Sequence, residues 1–132
     1  MAKLRHIAMV AEEMEKTAAF YEKSFGMKRV RESATAIGLT DGVVSLVIIH
    51  PSNPNMKGDD RRGLHHIGFL VDDMEQESAR VEANGAQFHG GIVAERGAVG
   101  ERKYRDPNGQ IFDLTGHEYA RDTWQIRVDE TV

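Results

Sequence analysis

The sequence contains no cysteine among its 132 residues. Disulfide bonds, thiolate metal sites and a cysteine nucleophile are therefore excluded. No apolar run approaches the roughly 18 residues that a membrane-spanning helix needs, and the first residues lead directly into a predicted strand rather than into the apolar core of a signal peptide. These absences predict a soluble, cytoplasmic protein with no membrane partner.

The sequence also lacks the basic character of a nucleic-acid-binding protein. Its 17 Lys and Arg are outnumbered by 21 Asp and Glu, so the net charge is −4, and no local run of Lys or Arg compensates. The rest of the composition, 40% hydrophobic and 29% charged, is ordinary for a globular protein. A chain of this length can bury one hydrophobic core, so we expect a single domain over residues 1–132.

An internal repeat is the most informative feature that is present. Residues 4–15 return at 64–75, with Leu, His, Ile, Met and Glu identical at equivalent positions. A repeat indicates one supersecondary unit used twice, with equivalent residues related by a pseudo-twofold axis. The repeated histidines, His6 and His66, stand inside apolar strands, where packing alone would repeat apolar side chains. They are therefore expected to converge on a common target.

Each copy of the repeat has the same predicted order of elements, β-α-β-β-β. An apolar strand is followed by a helix with i, i+3 and i+4 spacing, a glycine stop and three further strands. Asp41-Gly42 is the strongest hairpin signal in the first copy. The predicted organisation is module one at 4–50, a linker at 51–63, module two at 64–116 and a C-terminal helix at 117–126.

Four stretches of the chain carry a family signal: His6-Ile7-Ala8, residues 20–27, residues 64–69 and residues 106–114. Together they resemble the vicinal oxygen chelate superfamily, which includes glyoxalase I, methylmalonyl-CoA epimerase, extradiol dioxygenases, fosfomycin-resistance transferases and bleomycin-binding proteins. The resemblance implies an α+β fold in which two β-α-β-β-β modules form a curled mixed sheet, a cup around a divalent metal ion.

The resemblance further implies three metal ligands, His6, His66 and Asp113, one on the first strand of each module and one on the last strand of the second. Two imidazoles and a carboxylate on one face of a metal leave positions open for substrate or dioxygen. The family usually has Glu where this chain has the shorter Asp113. The aspartate is therefore expected to bind the metal, to hold a metal-bound water or to hydrogen-bond to a ligand histidine.

Three other residues bear on the type of reaction. Glyoxalases and epimerases take a fourth ligand from the last strand of module one, where the resemblance puts Val47, a residue that cannot ligate. Extradiol enzymes have an active-site Tyr where this chain has Lys103, which we expect to be the catalytic residue that holds an anionic substrate. Strand alternation predicts that His65 points away from His66, between sheet and helix.

The favoured hypothesis is therefore a divalent-metal enzyme that chelates a small-molecule substrate through two neighbouring oxygens, with dioxygenase-like chemistry. Imidazole and carboxylate suit several metals, and dioxygenase chemistry favours Fe2+ or Mn2+ over Zn2+ or Ni2+. The alternatives are a glyoxalase- or epimerase-type lyase or isomerase and a metal-free drug-binding protein of the bleomycin-resistance kind. Because closed twofold dimers are the commonest assembly, a homodimer is expected.

Overall fold

The computed structural model describes residues 2–93 and 99–129. Its elements, in chain order, are β1 (Lys3–Val10), α1 (Met14–Phe25), β2 (Lys28–Glu32), β3 (Ala36–Thr40), β4 (Ser45–Ile49), β5 (Gly63–Val71), α2 (Met74–Ala83), β6 (Gln87–Val93), β7 (Val99–Arg105), β8 (Ile111–Gly116) and α3 (His117–Tyr119). A 3₁₀ turn at Pro54–Met56 lies between β4 and β5. Among the described residues, no helix is long and apolar enough to cross a membrane.

The strands form one open mixed sheet in the order β2-β3-β4-β1-β5-β8-β7-β6. Each module contributes one half of the sheet with an identical internal order, and the first strands β1 and β5 pair antiparallel at the centre. Within each module the first strand pairs parallel with the last one. The predicted fold, two β-α-β-β-β modules in a curled mixed sheet, is confirmed.

The two faces of the sheet differ because alternate side chains point in opposite directions. On the outer face of module one, Ile7, Leu46 and Ile48 pack with Ala18 of α1. On the outer face of module two, a second apolar cluster is centred on Val71, Tyr104, Phe112 and Leu114. The opposite, concave face carries polar side chains together with a few small or apolar ones, and it forms the cup.

The C-terminal segment closes one end of the cup. After α3 the chain continues as a wider π-helical turn, Ala120–Trp124. Ala120, Trp124 and Ile126 pack on Leu70 of β5, and the Arg127 N–H donates to the carbonyl of Gly42 at 2.9 Å. The C-terminal segment therefore packs against the sheet and covers one end of the cup.

Candidate metal centre

Three buried side chains converge on the floor of the cup: His6, His66 and Asp113. The two histidine Nε2 atoms are 3.2 Å apart. Asp113 Oδ2 lies 3.2 Å from His66 Nε2 and 4.0 Å from His6 Nε2. Ligands about 2.0–2.2 Å from one ion are separated from each other by about 3.0–3.5 Å, so two of the three separations already have the dimensions of a metal site. One chain brings both histidines together.

The register of the sheet explains this convergence. Adjacent strands align Ser45, His6, Gly68, Asp113 and Lys103 in a single row across β4, β1, β5, β8 and β7. His66 lies two residues from the centre of the row on the same face of β5. The row therefore brings donors from three strands to one point.

Gly68 at the centre of the row makes room for the His6 ring. A Cβ at this position would stand 2.9 Å from His6 Cβ and 3.0 Å from His6 Cδ2, closer than real Cβ atoms come to their neighbours. Any larger residue would displace the imidazole, so the glycine is needed for the close approach of β1 and β5 at the site.

The Nδ1 atom of each converging histidine already has a partner. His6 Nδ1 lies 3.0 Å from Ser45 Oγ, and His66 Nδ1 lies 2.7 Å from His65 Nδ1. The His6 ring also stacks on Trp124, with centroids 4.5 Å apart and planes inclined by 10°. Both rings are thereby fixed with Nε2 directed at the point of convergence, which is how proteins orient ligand histidines.

His65 is thus a residue of the site, and the prediction that it points away from His66 is wrong. The pairing of β5 with β1 shifts by one residue between Ala8↔His66 and Met9↔Leu64, which leaves His65 as the extra residue of a β-bulge. A bulge interrupts side-chain alternation. Both histidines are therefore buried, with 7% and 6% of their surfaces exposed, and both line the cup.

Asp113 is fully buried, and its two oxygens have different surroundings. Oδ1 accepts a hydrogen bond from Lys103 Nζ at 2.8 Å, whereas Oδ2 accepts no well-formed hydrogen bond from any described residue. Burial opposes ionisation of Asp113, but the contacts with His66 and Lys103 outweigh it and lower the carboxyl pKa to about 2. An ionised, unsatisfied oxygen between two imidazole nitrogens is a donor set that fits a divalent cation.

The His6 imidazole also has the protonation state that a metal requires. Burial, and next to it the neighbouring His66, lower the pKa of His6 from 6.5 to about 3. His6 is therefore neutral at physiological pH, the form in which imidazole binds metals.

A second carboxyl group, Glu101, lies in the cup and was not identified from the sequence. It is 5% exposed, and its Oε2 lies 3.7 Å from Lys103 Nζ. Burial, and next to it the charge of Asp113, raise the pKa of Glu101 from 4.5 to about 7. Its position in the sequence carried a signal, because Glu101 lies two residues before Lys103 on one strand. Residues i and i+2 of a strand share a face, so Glu101 could have been placed on the same face as Lys103.

The cup encloses a cavity of about 510 Å3 above this floor. Val47, Ile49 and Ala8 form an apolar wall on the side of module one. Among the described residues that line the cavity, the charged ones are four cations and two acids: Arg31, Lys57, Lys103, Arg105, Asp59 and Glu101. The cavity is therefore more basic than the chain as a whole, whose net charge is −4.

The fold is thus that of a small α+β domain in which two modules form a cup, with a row of polar side chains on its concave face. The chain belongs to the Glyoxalase/Bleomycin resistance protein/Dioxygenase superfamily, whose family model matches residues 3–114. Members of this superfamily typically bind a divalent metal ion and small-molecule substrates. No relative among curated proteins matches the chain by sequence.

Solved structures share the fold at low sequence identity. A hypothetical protein of Bacillus halodurans C-125 is 19% identical over 87% of this chain and 94% of its own, with a TM-score of 0.68. Methylmalonyl-CoA epimerase from Mycobacterium tuberculosis is 15% identical over 86% of each chain, with a TM-score of 0.67. The Mn(II)-bound glyoxalase from Novosphingobium aromaticivorans is 16% identical over 88% of this chain and 40% of its own, also with a TM-score of 0.67.

Proposed function

We propose that this chain is a divalent-metal-dependent epimerase or isomerase that moves a proton at a carbon next to a carbonyl group of a small anionic substrate. The observation that carries the proposal is Glu101, a second buried carboxyl group that faces the same cavity as the candidate metal centre. The sequence favours dioxygenase chemistry because it identifies no carboxyl group that faces the ligands. Glu101 is a second buried carboxyl group in the cup, so proton-transfer chemistry no longer lacks a base.

His6, His66 and Asp113 would hold the ion through Nε2, Nε2 and Oδ2. The ion, when bound, would act as a Lewis acid that polarises a carbonyl oxygen and makes the adjacent C–H more acidic. Lys103 neutralises Asp113 through Oδ1 and so stabilises the carboxylate in one orientation, with Oδ2 toward the histidines.

Glu101 would accept the proton from the substrate carbon. In an isomerisation it would deliver that proton to the neighbouring carbon. In an epimerisation the carbon would take a solvent proton on its opposite face while Glu101 releases its own proton to solvent. A carboxyl group with a pKa of about 7 is close to the optimum for a group that must take up and release a proton at neutral pH. Asp113, whose pKa is about 2, stays ionised. The cup thus separates its two carboxyl groups into an ionised candidate ligand, Asp113, and a group that titrates near neutral pH, Glu101.

The cations of the cavity favour an anionic substrate. Lys103 keeps its role as the proposed catalytic residue, but its ammonium already contacts Asp113 and Glu101, so it would act on substrate while compensating both carboxylates. Arg31, Lys57 and Arg105 leave additional positive charge at the cavity wall, which would attract and orient an anionic group.

The test is proton exchange by the full chain loaded with Mn2+ in D2O. Suitable probes are methylmalonyl-CoA, which is bound in another methylmalonyl-CoA epimerase structure of similar fold, and the glutathione hemithioacetal of methylglyoxal. We expect metal-dependent deuterium incorporation, detected by mass spectrometry, that falls by at least about 100-fold in Glu101→Gln. Glu32→Gln, which alters an exposed acid of β2, serves as the control and should leave the rate unchanged.

Extradiol-type dioxygenase chemistry is the second candidate. The apolar wall at Val47 and Ile49 supports it, because a site with three protein ligands among the described residues leaves positions for substrate and dioxygen. The same protein, loaded with Fe2+ under anaerobic conditions, would then consume oxygen with catechol. Oxygen uptake without deuterium exchange on either carbonyl probe would overturn the first candidate in favour of the second.

A further inference from the structure

The bulge in β5 creates an unusual contact between consecutive histidines. His65 has no partner in the register between β1 and β5, and its ring meets the His66 ring edge to face at a centroid distance of 5.0 Å. The two Nδ1 atoms are 2.7 Å apart. The backbone carbonyl of His65 accepts a hydrogen bond from Gln110 Nε2 at 2.9 Å, which helps to fix the bulge in place.

Two ring nitrogens at this distance can share only one proton, so the contact selects between two tautomers. If His65 Nδ1 carries the proton, then a neutral His66 carries its own on Nε2, pointing at Asp113 and blocking a metal. If His66 Nδ1 carries the proton, then Nε2 of His66 keeps a free lone pair at the point of convergence.

We propose that His65 is a positioning residue that accepts the Nδ1–H of His66 and thereby keeps the Nε2 lone pair of His66 directed at the metal. This inference rests on the metal centre of the proposed function. Ligand histidines ordinarily donate their second N–H to a carboxylate, a carbonyl or a water. Here the acceptor is a second imidazole, that of His65. The β-bulge directs the His65 side chain toward His66.

The contact between the two rings is shielded from solvent. His65 and His66 expose 7% and 6% of their surfaces, so little water competes with the hydrogen bond between their Nδ1 atoms.

The test combines a tautomer measurement with metal affinity. Nitrogen-15 NMR of the Zn2+-loaded full chain should find His66 Nδ1 protonated, His66 Nε2 metal-bound and His65 Nδ1 unprotonated. In calorimetric titration with Mn2+, His65→Leu, which has no acceptor, should bind about 10–100-fold more weakly than the parent chain. His65→Gln, whose amide oxygen can accept, should recover most of the loss.

His89→Leu is the matched control, because His89 lines the same cavity and hydrogen-bonds to none of the three converging residues in the described part of the chain. Its Mn2+ affinity should equal that of the parent. A proton on His65 Nδ1, or equal Mn2+ affinity in the parent chain and His65→Leu, would overturn the inference while leaving the metal centre intact. If the His65 effect is found but deuterium exchange is absent, the proposed function fails and the inference stands.

Discussion

At the scale of single residues, the feature that matters most is a pair of ion pairs that share one lysine. Lys103 contacts both Asp113 and Glu101, and the three side chains expose 17%, 0% and 6% of their surfaces. Buried charges of this kind are tolerated only when they are paired. Two carboxyl groups share one ammonium, and Glu101 lies farther from it. Burial, and next to it the charge of Asp113, therefore keep the pKa of Glu101 raised.

Glu101→Gln should therefore stabilise the metal-free protein at high pH. Between the ordinary carboxyl pKa of 4.5 and the folded value of about 7, the folded protein holds a proton that the unfolded chain has released. Stability consequently falls as the pH rises through this interval. We expect the variant to melt about 3–8 °C above the parent at pH 8 and close to it at pH 4.5, as measured by calorimetry. A difference of equal size at both pH values would contradict the raised pKa.

Lys103→Met should destabilise the protein because it leaves two buried carboxyl groups without their cation. Removing one partner of a buried ion pair typically costs about 3–5 kcal/mol, and the loss should be largest above pH 7, where Glu101 is ionised. Urea unfolding at pH 8 measures it. Lys23→Met, in the last turn of α1 on the surface, should change the free energy of unfolding by less than about 0.5 kcal/mol.

At the scale of elements, the register of five strands assembles the site. The sixty-residue repeat predicts that His6 and His66 are equivalent, and the family resemblance adds Asp113, so the three converging residues could be named from the sequence. Ser45 could be reached only through strand pairing, whereas the spacing of two from Lys103 on one strand was the available signal for Glu101. His65 could not be predicted, because alternation fails at a bulge and nothing in a single sequence marks where the extra residue lies.

Gly68→Ala tests the importance of this register. The added Cβ would push the His6 ring out of line with His66 and Asp113, so Mn2+ affinity should fall at least about 10-fold. Gly116→Ala provides the control, since its Cβ would meet no atom within 4 Å and its φ is −77°. If both variants bind Mn2+ as tightly as the parent, the close approach of β1 and β5 at Gly68 is not needed for metal binding.

At the scale of the whole molecule, two modules of one chain suffice to build the cup. The pseudo-twofold order of the sheet brings His6 and His66 within 3.2 Å of each other without a partner subunit. The order of elements and the fold class could be predicted because apolar periodicity and the repeat agree along most of the chain. The shape and charge of the cavity could not, because they depend on how the linker and the C-terminal segment close over the sheet.

The predicted homodimer remains a separate expectation. Because one chain contains the whole candidate site, dimerisation is not needed to complete it. Multi-angle light scattering at micromolar concentration should give about twice the mass of 14.8 kDa. A mass of one chain would contradict the prediction without affecting the metal centre.

The claim on which the account depends is that His6, His66 and Asp113 form a metal site. The most direct test is the metal content of protein purified without an affinity tag, supported by titration of the metal-free chain with Mn2+. We predict one divalent ion per chain, lost in His6→Ala and in His66→Ala because each removes one of three ligands. Absence of metal and of Mn2+ binding in the parent chain, or full occupancy in the double histidine variant, would contradict the account and favour a metal-free binding protein.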